Sequence, residues 1–250
     1  MCVVQQVASK QVPKQSETQA PVSTHGVVSL DPGVRTFQTC YSPDGLVTEW
    51  GEADMTKVFK YCYETDRLQK RIRRAKGNSS KKYRMRKALY RLYKRVRNLV
   101  DEVHKKLSKW LCENYRVVLL PKFDTQQMTR RAKRKINSTT ARGMYTWAHY
   151  RFRQTLIHKA ELYPSCTVIV CDERYTSMTC GACGRLHETL GSKKTFRCPH
   201  PDCDYVADRD ISAARNILLR YLTLQKITGL TNSFGQTVAQ HRLGGGLHAT

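Results

Sequence analysis

The sequence predicts an α/β fold in which a mixed sheet of five strands is flanked by helices. Three short apolar runs joined by turn residues stand near the start of the chain, and two more follow after long helical stretches. Strands joined by tight turns pair antiparallel, whereas strands joined through a helix can pair parallel. The order of elements therefore favours a three-stranded meander that is extended by two helix-linked strands.

The meander is predicted between residues 27 and 50. Its strands are Val27–Leu30, Thr36–Tyr41 and Leu46–Trp50. Ser42-Pro43-Asp44-Gly45 separates the second strand from the third, and its Pro-Asp-Gly run is a turn signal. These three runs supply the antiparallel part of the sheet.

Helical periodicity covers about residues 55–115, interrupted by Gly77-Asn78-Ser79-Ser80. The second of the two helices has apolar residues at three- and four-residue spacing, which gives it one apolar face. The remaining predicted elements are the strand Val117–Leu120, a helix from Ala141 to about Tyr163, the strand Thr167–Cys171 and a helix from about Asp210 to Leu224. The whole order is the layout of an RNase H-like mixed sheet, although periodicity alone predicts an α/β fold and does not specify RNase H.

Composition divides the chain into four regions. Residues 1–24 are rich in Gln, Ser, Thr, Pro and Lys and are expected to form a flexible leader, and residues 226–250 are expected to form a flexible tail. Residues 25–175 and 205–225 are assigned to the α/β core. A cysteine-rich insertion occupies residues 176–204.

The chain is strongly basic. It has 44 Lys and Arg residues against 20 Asp and Glu, a formal net charge of +24, which predicts nucleic acid or an anionic membrane surface as the partner. No apolar run approaches the roughly 18–20 residues that span a bilayer, and Met1–Pro21 lacks the apolar segment of a signal peptide. Nucleic acid, and not a membrane, is therefore the expected partner. The sequence leaves the oligomeric state open.

The ten cysteines do not follow the pattern of a disulfide framework. Four of them cluster between Cys180 and Cys203. The other six are scattered, several within apolar runs: Cys2, Cys40, Cys62, Cys112, Cys166 and Cys171. One metal site together with several buried thiols indicates a reducing, intracellular compartment.

The clustered cysteines have the spacing of metal ligands. Cys180-Gly181-Ala182-Cys183 and Cys198-Pro199-His200-Pro201-Asp202-Cys203 are separated by about 14 residues. Tetrahedral zinc needs four thiolates at about 2.3 Å, which two cysteine turns can provide. Gly181 and Gly184 fit such turns, because a tight turn often needs a positive φ.

Zinc accounts for all four clustered cysteines, whereas a redox role does not. A redox CxxC would leave the second pair unused, and four unrelated buried cysteines would not need this spacing. His187 or His200 could replace a cysteine ligand, but four cysteines already fill the coordination shell. We therefore predict a structural Zn²⁺ held by Cys180, Cys183, Cys198 and Cys203, without an open position for catalysis.

Two aspartates stand at the ends of predicted elements. Asp31 follows an apolar strand and precedes Pro32-Gly33, and Asp210 lies where a helix begins. Taken singly, Asp31 is equally well explained as a turn residue. Asp210 is equally well explained as a helix cap or as a first-turn residue that interacts with the helix dipole.

Three segments together resemble the TnpB/Fanzor family, transposon-encoded relatives of type V CRISPR effectors. They are Ser29-Leu30-Asp31-Pro32-Gly33, the segment 175–184 that reads YTSMTCGACG, and the segment 208–217 that reads DRDISAARNI. The resemblance covers about residues 26–222. It implies a RuvC nuclease core in which three carboxylates hold two divalent ions, Mg²⁺ or Mn²⁺, for phosphodiester hydrolysis. In that pattern Asp31 corresponds to the first catalytic aspartate and Asp210 to the last.

The third carboxylate departs from the pattern of bacterial members. They place a glutamate after the strand that matches Val117–Leu120, where this chain reads Leu120-Pro121-Lys122-Phe123 and has no carboxylate before Asp124. The chain resembles instead the eukaryotic and giant-virus branch, in which Leu-Pro-x-Phe stands here and the glutamate lies on the next strand. Glu173 fits that position. Asp172 is the alternative, since alternation along a strand lets only one of the two face the site, and Glu173 could also be a solvent-facing charge.

The resemblance implies a DNA endonuclease guided by RNA, so DNA and a guide RNA are the expected partners, in the nucleus if the host is eukaryotic. Family members carry recognition domains ahead of the first RuvC strand, whereas only about 25 residues precede it here. We therefore expect a fragment, a decayed transposon product or the partner of a separate recognition protein. Arg209 and Arg215 are expected either to contact phosphate or to pair locally.

A long basic stretch predicts where nucleic acid binds. Between residues 67 and 97 about half of the residues are Lys or Arg, and none is Asp or Glu. Because helix faces in solvent usually mix both signs, a single sign favours phosphate contact. Tyr83, Tyr90 and Tyr93 could stack on bases or pack as partly buried helix residues. The second basic segment, residues 130–135, is expected to add backbone contacts, although a nuclear-localisation signal has the same composition.

Two other functions fit the same residues. The chain could be a catalytically inactive module that holds DNA or RNA. Cleavage of single-stranded DNA with Mg²⁺, and its loss on Asp31→Ala, would distinguish the nuclease from this module. The chain could also be a zinc-ribbon protein whose basic helices bind ribosomal or other RNA, and its RNA affinity would then survive mutation of all three carboxylates.

Overall fold

The computed structural model describes residues 5–6, 25–76, 79–130, 136–188, 190–191 and 193–232. The strands of its main sheet are β1 (Gln5–Gln6), β2 (His25–Pro32), β3 (Gln38–Tyr41), β4 (Val47–Trp50), β5 (Tyr115–Pro121) and β6 (Thr167–Cys171). They lie in the order β1-β4-β3-β2-β5-β6. All five predicted strands are present, and β1 adds a short sixth strand at one edge.

The sheet is mixed, as predicted. β2, β3 and β4 form the antiparallel meander, with Leu30 opposite Cys40 and Cys40 opposite Thr48. β5 runs parallel to β2, and β6 runs parallel to β5. β1 pairs antiparallel with β4, so two residues of the predicted leader belong to the sheet. The rest of that leader, residues 1–4 and 7–24, lies outside the described residues.

The described part of the chain has six helices in addition to these strands. They are α1 (Glu52–Arg74), α2 (Ser79–Asn114), α3 (Thr125–Thr129), α4 (Ser138–Trp147), α5 (His149–Ala160) and α6 (Arg209–Asn232). α1 packs against α2, α2 packs against α5, and α6 packs against β2 and β3. None of the described helices combines the length and the apolar character that a membrane span requires.

Different helices cover the two faces of the sheet, and the alternation of side chains along β2 determines which face carries its aspartate. Val28 and Leu30 are fully buried in the main core with side chains of α2 and α5. Ser29, between them, donates its hydroxyl to the backbone carbonyl of Ala214 on α6, at 2.6 Å. Successive side chains of a strand point to opposite faces. Asp31 therefore lies on the α6 face, with Ser29.

The prediction of one helix from Ala141 to Tyr163 is wrong. The chain instead forms α4 and α5, because Ala148 between them adopts a left-handed conformation with φ 50° and ψ 54°. The backbone carbonyl of Trp147 accepts a hydrogen bond from Nε2 of His104, at 2.9 Å. The indole N–H of Trp147 donates to the backbone carbonyl of Val34, also at 2.9 Å. These long-range bonds hold Trp147 in place and end the first helix there.

Two further elements differ from the prediction. The short helix α3 was not predicted, and Asp124 caps it by accepting the backbone N–H of Gln127 at 3.1 Å. α6 continues to Asn232, so residues 226–232 of the predicted tail are helical, and residues 233–250 lie outside the described part.

The scattered cysteines within the described residues are not in disulfides. Cys40, Cys62, Cys112 and Cys166 are buried free thiols, as predicted, and Cys171 is partly buried. Cys2 lies outside the described residues.

Candidate metal centres

The structure brings the three predicted acids to one edge of the main sheet. Asp31 is the last residue but one of β2, Glu173 follows the end of β6 by two residues, and Asp210 is in the first turn of α6. β2, β5 and β6 run parallel, so their carboxyl ends meet at this edge. α6 begins at the same place because Asp208 Oδ1 accepts the backbone N–H groups of Asp210 and Ile211, at 2.9 and 3.3 Å.

The acids interact electrostatically. Burial raises the pKa of Asp31 well above its usual range, the charges of Asp210 and Glu173 raise it further, and Arg209 opposes them. Burial also raises the pKa of Glu173 to about 7, against the effect of a hydrogen bond from the backbone N–H of Phe123.

Asp210 is surrounded by charges of both signs. Burial and the charge of Asp208 raise its pKa, whereas Arg209, Lys194 and Arg35 lower it. Arg35 and Lys194 therefore form a basic rim beside the acids. Sequence reasoning missed both, although Arg35 stands only four residues after Asp31.

A fourth acid, Glu49, also faces this site and was missed. In the register of the meander, Asp31 lies opposite Thr39 and Thr39 lies opposite Glu49, so the three side chains share one face of the sheet. Burial and the charges of Glu52, Asp208 and Asp210 raise the pKa of Glu49. Counting residues along the two predicted hairpins would have found it.

Glu173 and its alternative, Asp172, have different surroundings in the structure. The carboxylate of Asp172 pairs with Arg220 on α6 at 2.9 Å and with Arg174 at 3.4 Å. These partners lower the pKa of Asp172, although its burial acts in the opposite direction. Glu173 is instead partly buried and raises the pKa of Asp31. Of the two acids, Glu173 is the one that interacts with the other predicted ligands.

The acidic donors suit a hard divalent cation. Carboxylate oxygens are the ligands that Mg²⁺ and Mn²⁺ prefer. Oxygens of the three carboxylates do not all lie within 4.8 Å of one another, whereas the sulfurs of the four cysteines in the described chain do.

The four predicted cysteines converge on one point. Sγ of Cys180 lies 3.7 Å from Sγ of Cys203, and Sγ of Cys183 lies 3.8 Å from Sγ of Cys198. Four thiolates at about 2.3 Å from a tetrahedral ion would be about 3.8 Å apart, so the group fits zinc. Neither predicted histidine alternative, His187 or His200, belongs to the group found among the described residues.

A small hairpin and a local core support the cysteines. β7 (Thr195–Arg197) pairs antiparallel with β8 (Val206–Asp208). Phe196 is fully buried between the cysteines and the ring of Tyr205. This core is small for a segment of this length, and an ion held by the four cysteines would add to its stability.

The two glycines near the cysteines have different roles. Gly184 has φ 74°, as predicted, and donates its N–H to the carbonyl of Cys180 at 3.0 Å. The same prediction is wrong for Gly181, which is not among the positive-φ residues. A Cβ at Gly181 would lie 2.7 Å from Nη1 of Arg215 and 3.0 Å from Oη of Tyr205, so the position needs space instead of a special φ.

Side chains of α6 donate hydrogen bonds to the backbone of the cysteine-rich insertion. Arg215 donates to the carbonyl of Gly181, and Asn216 donates to the carbonyls of Thr176 and Thr179 at 2.9 and 2.8 Å. Arg209 donates to the carbonyl of Gly191 at 2.9 Å. Of the two predicted roles for these arginines, local pairing is the one observed.

The basic stretch forms a helical hairpin that extends beyond the core. Between residues 67 and 97, 15 of 31 residues are Lys or Arg. None of the described residues between 66 and 99 is buried. Tyr83, Tyr90 and Tyr93 are 66%, 68% and 46% exposed, so they do not pack in a core and are available for stacking. Of the second basic segment, residues 131–135 lie outside the described chain.

Two family models match the chain. Residues 6–132 match the OrfB_IS605 model, described as "Probable transposase", and residues 149–217 match the model described as "Cas12f1-like, TNB domain". Together these matches cover both the sheet and the cysteine cluster.

Proteins from viruses and bacteria are similar to this chain. A625R, a candidate transposase of Paramecium bursaria Chlorella virus 1, is 36% identical over 85% of this chain and 47% of its own length. The TnpB-like protein L79 of Acanthamoeba polyphaga mimivirus is 29% identical over 76% of this chain and 36% of its own length. InsQ, a candidate RNA-guided DNA endonuclease of Escherichia coli (strain K12), is 25% identical over 82% of this chain and 51% of its own length. The chain thus spans about half, or less, of these relatives.

A solved structure shares the fold. The match to a CRISPR-Cas12f ternary complex has a TM-score of 0.57 at 18% identity, and it covers 84% of this chain and 41% of that chain. The fold of this chain is therefore also adopted by a protein of known structure.

Proposed function

Because the chain belongs to the OrfB_IS605 family of transposases, we propose that it is the nuclease core of an RNA-guided DNA endonuclease. The observation that carries this proposal is the convergence of Asp31, Glu173 and Asp210 at one edge of the sheet. Each of these carboxyl groups has a raised pKa, and two of them act on the third. Like charges are rarely brought together inside a protein unless a cation binds there.

The three acids would hold two ions, Mg²⁺ or Mn²⁺. When bound, such ions stabilise the charge that develops on a phosphodiester and activate water for its hydrolysis. The protein's own contribution is to orient the carboxylates. Asp208 fixes the start of α6 and with it Asp210. The basic rim of Arg35 and Lys194 would attract the phosphate backbone to the acids.

The cysteine cluster would hold a structural Zn²⁺. With four thiolates the coordination shell is complete, so the ion would fold the insertion and take no part in hydrolysis. We propose residues 176–204 as this insertion and residues 25–175 and 205–225 as the nuclease core.

The proposed partners are DNA and a guide RNA. The basic hairpin, residues 66–99, would bind backbone phosphates, and its exposed tyrosines would stack on unpaired bases. InsQ is named as an RNA-guided DNA endonuclease, which supports a guide RNA here. Sequencing the RNA that copurifies with the chain, with and without nuclease treatment, tests this part. An intracellular location, in the nucleus of a eukaryotic host, belongs to the same proposal.

A comparison of two neighbouring acids tests the nuclease function. Glu173→Gln removes a proposed ligand, whereas Asp172→Asn removes an acid that pairs with Arg220 and Arg174. We expect the 250-residue chain to cut labelled single-stranded DNA with Mg²⁺. Glu173→Gln should reduce the rate at least about 100-fold, whereas Asp172→Asn should reduce it by less than about threefold.

Two outcomes would contradict the proposal in different ways. Equal loss in both variants would show that Glu173 has no special role. Tight DNA or RNA binding without any cleavage, unchanged by Asp31→Ala, would identify the chain as a binding module without nuclease activity.

A further inference from the structure

A cavity of about 280 Å³ lies at the same edge of the sheet as the acids, but on the opposite face. It is lined by Pro32 and Pro121, the last residues of β2 and β5, and by Gln38, which stands opposite Pro32 in the register of β2 and β3. Because side chains alternate along a strand, Pro32 and Gln38 point away from the face that carries Asp31. The cavity is therefore close to the proposed nuclease site without being part of it.

The walls of this cavity are largely apolar and include aromatic rings. Leu120 and Phe152 are buried in them, and Phe123 is partly buried. The ring of Phe123 packs edge-on against the ring of His149, with 4.6 Å between the centroids, so its position is held by α5. Apolar and aromatic walls of this kind suit a flat, mostly apolar group.

Two polar side chains are buried in the same lining. Gln38 is 1% exposed, and no described residue forms a hydrogen bond with its Oε1. His149 is 5% exposed, and its ring nitrogens make no hydrogen bond within the described chain, although the backbone of Gly33 acts on its pKa. A buried polar group without a partner costs free energy, so a water or a ligand usually supplies one.

The rim of the cavity is basic. Lys122 is exposed, and Arg153 donates from Nη1 to the backbone carbonyl of Lys122 at 3.4 Å. The guanidinium of Arg153 also lies over the exposed ring of Tyr150, 5.0 Å from its centroid, so that ring already has a partner at the rim. Asp124, the acid of the lining, caps α3. Apolar walls, a buried amide and a basic rim together fit a planar heterocycle that is joined to a phosphate.

We propose that this cavity binds the base of an unpaired nucleotide and that the amide of Gln38 reads its edge. An amide has an acceptor and two donors, which match the edge of a base. Sites for unpaired bases enclose them between aromatic or apolar side chains and bond to their edges in this way. Lys122 and Arg153 would hold the phosphate. The assignment rests on the proposed function, in which nucleic acid is the ligand, and adds that one base fixes the strand beside the acids.

A cavity that holds only water makes a different prediction. Gln38→Met removes the amide and nearly keeps the volume of the side chain. If the amide serves only to bind water, the variant changes stability, and any effect on strand affinity is the same with and without bases. Base binding predicts instead a loss of affinity that depends on the bases. The stability of the free protein should then be equal or higher, because an unpartnered buried amide has been removed.

The test compares two single strands. One strand has about 12 nucleotides, and the matched strand has the same backbone without bases. Both are titrated by fluorescence anisotropy with zinc present and without Mg²⁺ or Mn²⁺. We expect Gln38→Met to weaken binding of the first strand by about three- to tenfold and to leave that of the abasic strand unchanged. Gln127→Met, at an exposed position outside the cavity lining, should bind both strands like the wild type. DNA and RNA strands are both titrated, and the one that shows the loss supplies the base.

The outcomes separate this assignment from the proposed function. Equal loss on both strands, or no loss on either, would overturn the assignment while leaving the nuclease function intact. Failure of the wild type to bind any of the strands would overturn the proposed function first. Nuclear magnetic resonance provides a second measurement, in which the side-chain amide signal of Gln38 is assigned by its absence in Gln38→Met. The signal should shift when the strand with bases is added and not with the abasic strand, and an unshifted signal at saturation would contradict the contact.

Discussion

Arg215 donates a hydrogen bond from Nη1 to the backbone carbonyl of Gly181, at 2.5 Å, across 34 residues of sequence. Gly181 stands between two of the clustered cysteines, and Arg215 follows Asp210 by five residues on the same helix. The cysteine site is thus connected to the helix that carries one of the acids. Because of this connection, the state of one proposed metal site should affect the other.

Loss of this bond should destabilise the protein and slow DNA cleavage. Arg215→Ala leaves the Gly181 carbonyl without its charged donor, which typically costs about 1.5–3 kcal/mol. The check is the free energy of unfolding from urea titration, together with the cleavage rate at saturating Mg²⁺. Arg174→Ala is the control, since it removes an exposed ion pair with Asp172 that contributes at most about 1 kcal/mol. Equal effects of the two variants would contradict the coupling.

Charge removal on the basic hairpin should reduce the salt dependence of nucleic-acid binding. Arg84, Lys87 and Arg91 are exposed and lie one helical turn apart on α2. Removing one phosphate contact should lower the slope of log K against log salt by about 0.7–0.9. Binding of the triple Gln variant, measured by fluorescence anisotropy over a salt series, should therefore show a slope smaller by about 1.4–2.7 if two or three of these residues bind phosphate.

A matched triple variant on the same helix provides the control. Residues 105, 106 and 109 are exposed lysines near the core, and Lys106 and Lys109 pair with Glu102 and Glu113. Their replacement by Gln should leave the salt slope nearly unchanged. If both triple variants lowered the slope equally, net charge alone would explain binding, and the hairpin would not be the interface.

Stacking by the exposed tyrosines should add affinity that salt does not remove. Tyr90 is 68% exposed on the hairpin, so its ring is free to stack on a base. Tyr90→Ala should weaken binding of single-stranded RNA or DNA by about 1–3 kcal/mol, and Tyr90→Phe should not. Tyr150, 64% exposed but on α5, is the control residue. Anisotropy titrations at high salt measure the difference, and an equal loss for Tyr150→Ala would argue against a stacking role on the hairpin.

Much of the fold could be predicted from local periodicity. The strands of the meander and the apolar face of α2 follow from residues that are close in sequence, and the fully buried Leu30 and Leu107 belong to those patterns. The break at Ala148 could not be predicted in this way. It depends on His104, 43 residues earlier than Trp147, whose carbonyl it binds.

Among the acidic residues, too, some features could be predicted from local sequence and others depend on contacts between distant elements. Asp31 could be identified because strand ends and motif spacing are local features. Alternation along β6 left Glu173 and Asp172 as alternatives, and the choice depends on Arg220, which pairs with Asp172 from another helix. The left-handed backbone of Phe123 carries no sequence signal, since bulky residues are rare there. Contacts between distant elements decide these features, and periodicity does not report them.

Two buried histidines should make the protein sensitive to mild acid. His104 and His149 both stack on the ring of Phe37, with centroids 5.0 and 5.1 Å apart. Burial lowers the pKa of His104 to about 4 and that of His149 to about 3. The charge of His104 also lowers the pKa of His149, whereas the backbone of Gly33 raises it. Both therefore stay neutral in the folded protein at pH values where the unfolded chain is already protonated.

The sign of this effect follows from linkage. Above the unfolded pKa of about 6.5 neither state is protonated, so the histidines do not affect stability. As the pH falls below that value, each histidine destabilises the fold by about 1.4 kcal/mol per pH unit, until the folded pKa is reached. Urea titrations between about pH 7 and pH 5 give the free energy of unfolding as a function of pH. The slope of this dependence should be smaller by about 1.4 kcal/mol per pH unit in His149→Phe than in the wild type. A slope in His149→Phe equal to that of the wild type would contradict the assignment.

The acidic site should destabilise the metal-free protein, and Glu173 shows the sign most clearly. Its pKa is raised from 4.5 to about 7 in the fold, so the unfolded state ionises first as the pH rises. The penalty is absent below the unfolded pKa, grows between the two values and is complete above about pH 7, at about 3 kcal/mol or less. Glu173→Gln should therefore be more stable than the wild type at about pH 8 without Mg²⁺, and the two should converge near about pH 5.

Mg²⁺ should reverse this order, because an ion that binds only the folded state stabilises it. Wild-type stability should rise with Mg²⁺ concentration, whereas that of Glu173→Gln should rise much less. Asp172→Asn should behave oppositely to Glu173→Gln in metal-free buffer, since its ion pairs lower the pKa of Asp172 and its charge stabilises the fold. Thermal denaturation with zinc present, at two pH values and over a Mg²⁺ series, measures all three proteins. A Glu173→Gln variant less stable than the wild type at the higher pH would mean that the acids are not held in place against their repulsion.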